Sequence, residues 1–342
     1  MKRRIAKLVE PEKFDFFEEE IPEPGPDEIL VRTLFTGLCH SDLPVYYGTG
    51  CTSLCANGYH VMDPDVPYPI GVGHEPTGVV EAVGANVTGF RPGDTVSGMV
   101  HGTFATHFLT TAEAIVRIGM RPGTHPLVEP LSCIANIAQI AAPEFGDRVA
   151  VIGCGYMGLL TIMALAGGNL RELVALDVRD DRLETARRYG ATMTINPSRE
   201  DVEDRAFALT GGLMFDVVVE ITGSLRGLDT ALRIIRLADR FGPRGRGKIL
   251  LPSLYGREER WNPVTGYNLM LRGPVLHSAH PRYCMDLHDS MQRGIDMYDK
   301  GVLRHDELIS HTFVLDDIAE AFAVLAGGDP GYVKGVVTCA AP

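Results

Sequence analysis

The sequence predicts an α/β protein of two domains, one β-rich and one a doubly wound parallel sheet. Three observations carry this reading. At 342 residues, the chain exceeds the usual length of one domain. Up to about residue 140 it runs in short β-like stretches separated by Gly and Pro. From about residue 145 strand and helix patterns alternate, which implies parallel strands with helices on both faces.

The elements follow in order. "MKRRIAKLVEPEKFDF" is basic but has no apolar run behind it, so it reads as a first strand and not as a signal peptide. "EILVRTLFTG", "TGVVEAVG", "DTVSGMV" and "EAIVRI" read as strands, with "EPGPDE", "PDVPYP" and "RPGD" as turns. In the second half "DRVAVIG", "ELVALD", "MTIN", "FDVVVEIT" and "GKILLPS" are strands. "YMGLLTIMALAGG", "RDDRLETARRYG" and "SLRGLDTALRIIRLA" are helices between them. From about Met285, "DLHDSMQRGIDMYDKG" and "LDDIAEAFAVLAGG" are helical and "YVKGVVTC" is a closing strand.

Composition narrows the function. Hydrophobic residues make up 45% and charged residues 22%, as in soluble globular proteins. The net charge of −12 repels phosphate backbones, so nucleic acid and anionic membranes are not expected partners. Seven scattered cysteines fit a reducing, cytoplasmic setting, not a disulfide framework. Val149 to Leu170 carries no charge and is long enough to span a bilayer. Its five glycines instead suggest a buried strand, a turn and a helix.

That turn holds G-x-G-x-x-G at Gly153, Gly155 and Gly158. The first glycine permits a tight turn, the second lets a pyrophosphate approach the backbone, and the third lets helix and strand pack closely. The motif follows a strand and opens a helix. Asp177 ends the next strand, where a carboxylate accepts from a ribose diol and repels a 2′-phosphate. This favours NAD over NADP, with Arg179 and Arg182 close by. The candidate cofactor contacts here are Gly153, Gly155, Tyr156, Met157, Gly158, Asp177, Arg182 and Thr222. The plain alternative is a tight turn that binds no dinucleotide, with Asp177 as a helix cap.

"FTGLCHSDL" sets Cys39, His40, Ser41 and Asp42 side by side. "GVGHEPTGVVEAVG" adds His74 and Glu75, and "LVEPLSCIAN" adds Glu129. Cys39, His74 and a carboxylate would suit a catalytic Zn²⁺, which keeps three protein ligands and an open position. Spacing alone leaves other roles open. Cys39 would serve as a small buried hydrophobe, His74 as a core histidine, and Glu129 as a helix cap.

"GLCHSD", "GHEPTGVVEAVG", "GDTV", "EPLSCIAN" and "VIGCGYMG" stand in the order found in the zinc-dependent medium-chain alcohol and polyol dehydrogenases, which the chain resembles over nearly its whole length. The resemblance implies a GroES-like catalytic domain, residues 1–141 completed by 286–342, around a Rossmann NAD domain, residues 142–285. The active site would lie in the cleft between them. It implies one catalytic zinc, NAD, a small-molecule alcohol or ketone substrate, and a homodimer or homotetramer. Cys39 and His74 resemble zinc ligands. The "EPLS" form resembles the sorbitol, glucose and threonine dehydrogenase branch, where a glutamate is the ligand or hydrogen-bonds the zinc water, which makes Glu129 the third ligand. Glu75 is then an alternate ligand or a supporting acid. Asp42 resembles the carboxylate that orients the histidine, Ser41 the residue that takes the alcohol proton, and His40 a neighbour of the cofactor pyrophosphate. Cys133 is expected to pack.

The chain departs from that family in three places. "SGMVHGTFATHFLT" has none of the four cysteines of a structural-zinc lobe, so no structural zinc is expected; His101 and His107 fall there without further ligands. Pro44 stands where some relatives end a proton relay in histidine, so the exit must use water, the cofactor ribose or Tyr47. The segment from Asp42 to His74 is about ten residues longer than in relatives, as loops allow. It carries Cys51, Cys55 and His60, which read as incidental residues of a substrate-covering loop or as a second site. The expected activity is reversible, NAD-dependent oxidation of a secondary alcohol, of polyol, sugar or cyclitol type. His277, His280 and Arg282 would suit an anionic substrate if they reach the cleft. The alternatives are a zinc-free quinone or enone reductase and a non-catalytic NAD-binding protein.

Overall fold

A computed structural model of the chain describes residues 1–54, 60–63, 66–238, 245–253, 255, 263–280 and 286–339. Cys55 and Arg282 lie outside them, and Cys51 and His60 are described only as strand backbone. The chain divides into two compact units, residues 1–131 with 305–342, and residues 132–304.

In the first unit β1 (Lys2–Glu10) and β2 (Lys13–Glu20) form an antiparallel hairpin, turning at Glu12 with φ 63°. The sequence reads this stretch as a single strand; the turn divides it in two. β3 (Glu28–Gly37) leads through the Cys39–Asp42 turn into the short helix α1 (Leu43–Tyr46). β4 (Cys51–Leu54) pairs with β5 (His60–Asp63), and β6 (Ile70–Gly71) joins β1. β7 (Pro76–Val83), β8 (Thr95–Gly98), β9 (His107–Thr111) and β10 (Ile115–Arg117) build the main sheet on β3. Helix α2 (Val128–Ala141) follows. The boundary between the units falls inside this helix, whose first turn is held to the β-rich unit by Val128 N–H on Ser97 Oγ (3.0 Å).

The second unit alternates strictly. It runs β11 (Arg148–Ile152), α3 (Tyr156–Ala166), β12 (Glu172–Leu176), α4 (Asp180–Arg188), β13 (Met193–Ile195) and α5 (Val202–Thr210). Then come β14 (Val217–Glu220), α6 (Leu225–Ile234), β15 (Lys248–Leu251), α7 (Pro263–Arg272), β16 (Val275–Ser278) and α8 (Leu287–Asp299). All its strand pairs are parallel, in the order β13-β12-β11-β14-β15-β16. That order reverses direction between β11 and β14, where doubly wound sheets open a crevice for ligands. Both central strands are buried along their whole length, as strands covered on two faces must be. The apolar stretch Val149–Leu170 is accounted for by β11, the glycine turn and α3. No helix among the described residues is long and apolar enough to cross a membrane.

The chain then returns to the first unit as β17 (Ile309–Val314), α9 (Ile318–Gly327) and β18 (Lys334–Thr338). β18 inserts between β3 and β17, antiparallel to the first and parallel to the second. Leu38 N–H donates to Gly335 O (2.9 Å), so the closing strand holds the base of the Cys39–Asp42 turn.

Candidate active site

Cys39, His74 and Glu75 each offer one ligand atom, and these atoms lie within 4.8 Å of one another. Cys39 and Glu75 flank the pairing of β3 with the segment leading into β7, where Gly37 N–H donates to Glu75 O (3.1 Å). Gly37 carries no side chain because a Cβ there would run into the Glu75 carboxylate and Leu127. His74 and Glu75 are buried, while Ser41 is exposed beside them.

Asp42 sets the histidine. Its Oδ1 lies 3.2 Å from His74 Nδ1 and also accepts from Gly73 N–H (3.4 Å). Nε2 is thereby left for the group, the arrangement common to metal-binding histidines. Burial opposes charge on this ring, but Asp42 and Cys39 outweigh it and hold the pKa well above the ordinary histidine value. Ser41 Oγ sits 3.2 Å from Cys39 Sγ and 3.3 Å from His74 Nε2. A proton acceptor therefore stands at the group itself.

Sequence reasoning missed Lys334. Its Nζ is buried and donates to Glu75 Oε2 (2.5 Å) and Leu38 O (2.9 Å). Burial alone would lower its pKa; the nearby Glu75, Cys39 and Tyr332 raise it instead. The one charge in the apolar run "YVKGVV" was the available signal.

Glu129 does not belong to the three-residue group; it lies buried in the first turn of α2. Cys133, one turn later, is buried. His40 is exposed, its ring centroid 6.2 Å from that of Tyr332. His101 is exposed with its ring 5.9 Å from that of His74, whereas His107 pairs with Glu81 (3.3 Å). Pro44 occupies the first turn of α1, and Tyr47 is exposed just beyond it. His277 lies on β16 and His280 just after it.

In the second unit the glycine turn has the shape its sequence demands. Gly153 has φ 99°, and a Cβ there would meet Thr222 Cγ2 at 2.7 Å. A Cβ on Gly158 would run into the Gly153 carbonyl oxygen. Gly155 starts α3 without a side-chain cap, so Tyr156, Met157 and Gly158 offer helix-terminal N–H groups to an anion. Asp177 accepts from Cys154 N–H (2.7 Å) and Arg179 N–H (2.9 Å), which pins the carboxylate beside that turn. Arg179 is engaged by Asp181, while Arg182 Nη1 reaches Cys154 O (3.4 Å) over the glycines. These residues fit a dinucleotide, and the Cys39–His74–Glu75 donor set fits zinc.

Residues 25–124 match the family described as Alcohol dehydrogenase GroES-like domain, and residues 157–251 that described as Zinc-binding dehydrogenase. The L-threonine 3-dehydrogenase of Anaeromyxobacter dehalogenans (strain 2CP-C) is 27% identical over 347 residues, covering 92% of each chain. Two solved structures share the fold. The 2R,3R-butanediol dehydrogenase from Bacillus subtilis has a TM-score of 0.79 at 21% identity, covering 99% of this chain and 100% of that one. Galactitol-1-phosphate dehydrogenase from Escherichia coli has 0.78 at 20%, covering 98% and 99%. The chain belongs to the zinc-type medium-chain alcohol dehydrogenase family. It is accordingly an enzyme that uses zinc and a nicotinamide dinucleotide on an alcohol substrate.

Proposed function

We propose that this enzyme reversibly oxidises a secondary alcohol of polyol, sugar or cyclitol type to the ketone, with NAD, on one zinc held by Cys39, His74 and Glu75. The observation that carries the reading is the convergence of these three ligand atoms beside the Ser41 hydroxyl. When bound, zinc would supply Lewis-acid polarisation of the alcohol oxygen, and the nicotinamide ring a hydride acceptor. Ser41 Oγ takes the alcohol proton and, being an exposed residue, passes it outward. Asp42 holds His74 with Nε2 toward the group. Lys334 holds one Glu75 oxygen and leaves the other for the metal. Asp177 would bind the adenosine ribose, and the uncapped start of α3 the pyrophosphate. A secondary alcohol is also the group named by L-threonine 3-dehydrogenase. Glu129, outside the three-residue group, is assigned a supporting role.

Elemental analysis tests the ligand set. One zinc per chain is expected in the wild type and in Glu129→Ala, and well under one in Cys39→Ala and Glu75→Ala. Full zinc in Glu75→Ala with loss in Glu129→Ala would return the third position to Glu129. Reduction of NAD with a panel of polyols then tests the substrate class.

A further inference from the structure

The crevice between β11 and β14 has two walls, the glycine turn after β11 and residues Ile221–Ser224 after β14. The second wall is organised by Glu220, a fully buried carboxylate at the end of β14. Its Oε1 accepts from Thr222 N–H (2.8 Å) and from the Thr222 hydroxyl, and its Oε2 from the Tyr255 hydroxyl. Thr222 Oγ1 has therefore donated its proton inward. Its lone pairs face Ser224 Oγ (2.8 Å) and Ser224 N–H (3.2 Å). Thr222 itself is exposed, and the side of it nearest the cofactor turn is its methyl, against Gly153. Gly227 in the first turn of α6 makes room for the pair, since a Cβ there would run into Glu220 Oε1 and come within 2.5 Å of Thr222 Oγ1.

From this arrangement we infer that Glu220 is a positioning residue for the dinucleotide: it turns the Thr222 hydroxyl away from the crevice so that an apolar methyl, not a hydroxyl, closes the wall beside Gly153. The inference rests on the cofactor reading above. A buried acid is an expensive choice for a structural filler. Here it anchors both the backbone and the side chain of one exposed residue on the crevice wall. Without Glu220 the Thr222 hydroxyl is released to rotate, and the turn loses the N–H anchor at Thr222.

The test is NADH affinity, read by nicotinamide fluorescence on the zinc-loaded protein, in a double-mutant cycle. Glu220→Ala is expected to weaken NADH at least tenfold. The same change made in Thr222→Val, which has no hydroxyl to release, is expected to cost clearly less. Glu220→Gln, whose amide oxygen can keep both Thr222 bonds, should stay within about threefold of wild type. An equal loss in both backgrounds would reduce Glu220 to a structural residue and overturn the proposal, as would unchanged binding in Glu220→Ala. If Glu220→Ala does not fold, Gly227→Ala displaces the same pair without removing the acid, and its NADH affinity decides in the same way. Wild type that binds no NADH would sink the cofactor reading itself, an outcome distinct from the others.

Discussion

At the scale of single residues, the chemistry was half legible. Cys39, His74 and Glu75 stand in short motifs, where Glu75 was expected only as the alternate to Glu129, and the role of Asp42 in "LCHSD" came from the family resemblance. The proposal prefers Glu75 to Glu129 on its grouping with Cys39 and His74, a proximity that carboxylates far apart in sequence do not reveal. Lys334 was illegible for another reason: a strand pattern assigns its residues to faces but not to partners. Its pairing has a measurable consequence. Lys334 and Glu75 have side-chain exposures of 4% and 1%, and removing one partner of so buried a pair leaves an uncompensated charge. Lys334→Met is expected to cost about 3–5 kcal/mol of unfolding free energy in the zinc-free protein. Adding Glu75→Gln should restore much of it. Denaturant midpoints of wild type, Lys334→Met, Glu75→Gln and the double variant check this, and a cost in Lys334→Met below about 1 kcal/mol would show that the pair is not desolvated as described.

At the scale of elements, the second unit was the easier to read. Its strands are covered on both faces, so they appear as uninterrupted apolar runs between amphipathic helices. α5 escaped notice because "VEDRAFALT" has little apolar periodicity; its start is fixed instead by Asp201, which accepts from Glu203 N–H and Asp204 N–H. The β1–β2 turn escaped because Glu12 adopts a positive φ without a glycine to announce it. Where glycine does announce a constraint, the element can be broken by one methyl group. In Gly158→Ala the new Cβ meets the Gly153 carbonyl oxygen, a backbone atom that can yield only if the turn opens. NADH binding is expected to fall more than tenfold, with zinc content unchanged. Titration of NADH beside elemental analysis on the same preparation checks both halves, and undiminished affinity would mean that α3 can shift away from β11 at little cost.

At the scale of the whole chain, the first unit is assembled from two distant segments, and His305 sits where the second one enters. Its ring is fully buried, with Nε2 donating to His125 O (2.8 Å), while His125 N–H donates to Asp306 Oδ1 (2.8 Å). Burial pushes the His305 pKa from 6.5 down to about 4, and the nearby acid and the carbonyl bond only partly oppose it. The folded protein thus keeps the ring neutral where the unfolded chain would protonate it. Between pH 6.5 and 4 the unfolded state binds the extra proton, so stability falls as the pH falls through that window. At about 1.4 kcal/mol per unit, the loss amounts to at most about 3 kcal/mol by pH 4 and is absent above 6.5. Glutamine can keep the donor to His125 O but cannot titrate. His305→Gln is therefore expected to lose about 2 kcal/mol less than wild type between pH 7 and 4.5. Hydrogen exchange of the β18 amides, corrected for intrinsic rates, reads this locally and needs no assumption that both units unfold together. Equal acid losses in the two proteins would mean that the buried ring takes up its proton in place, and that some other group sets the acid limit of this unit.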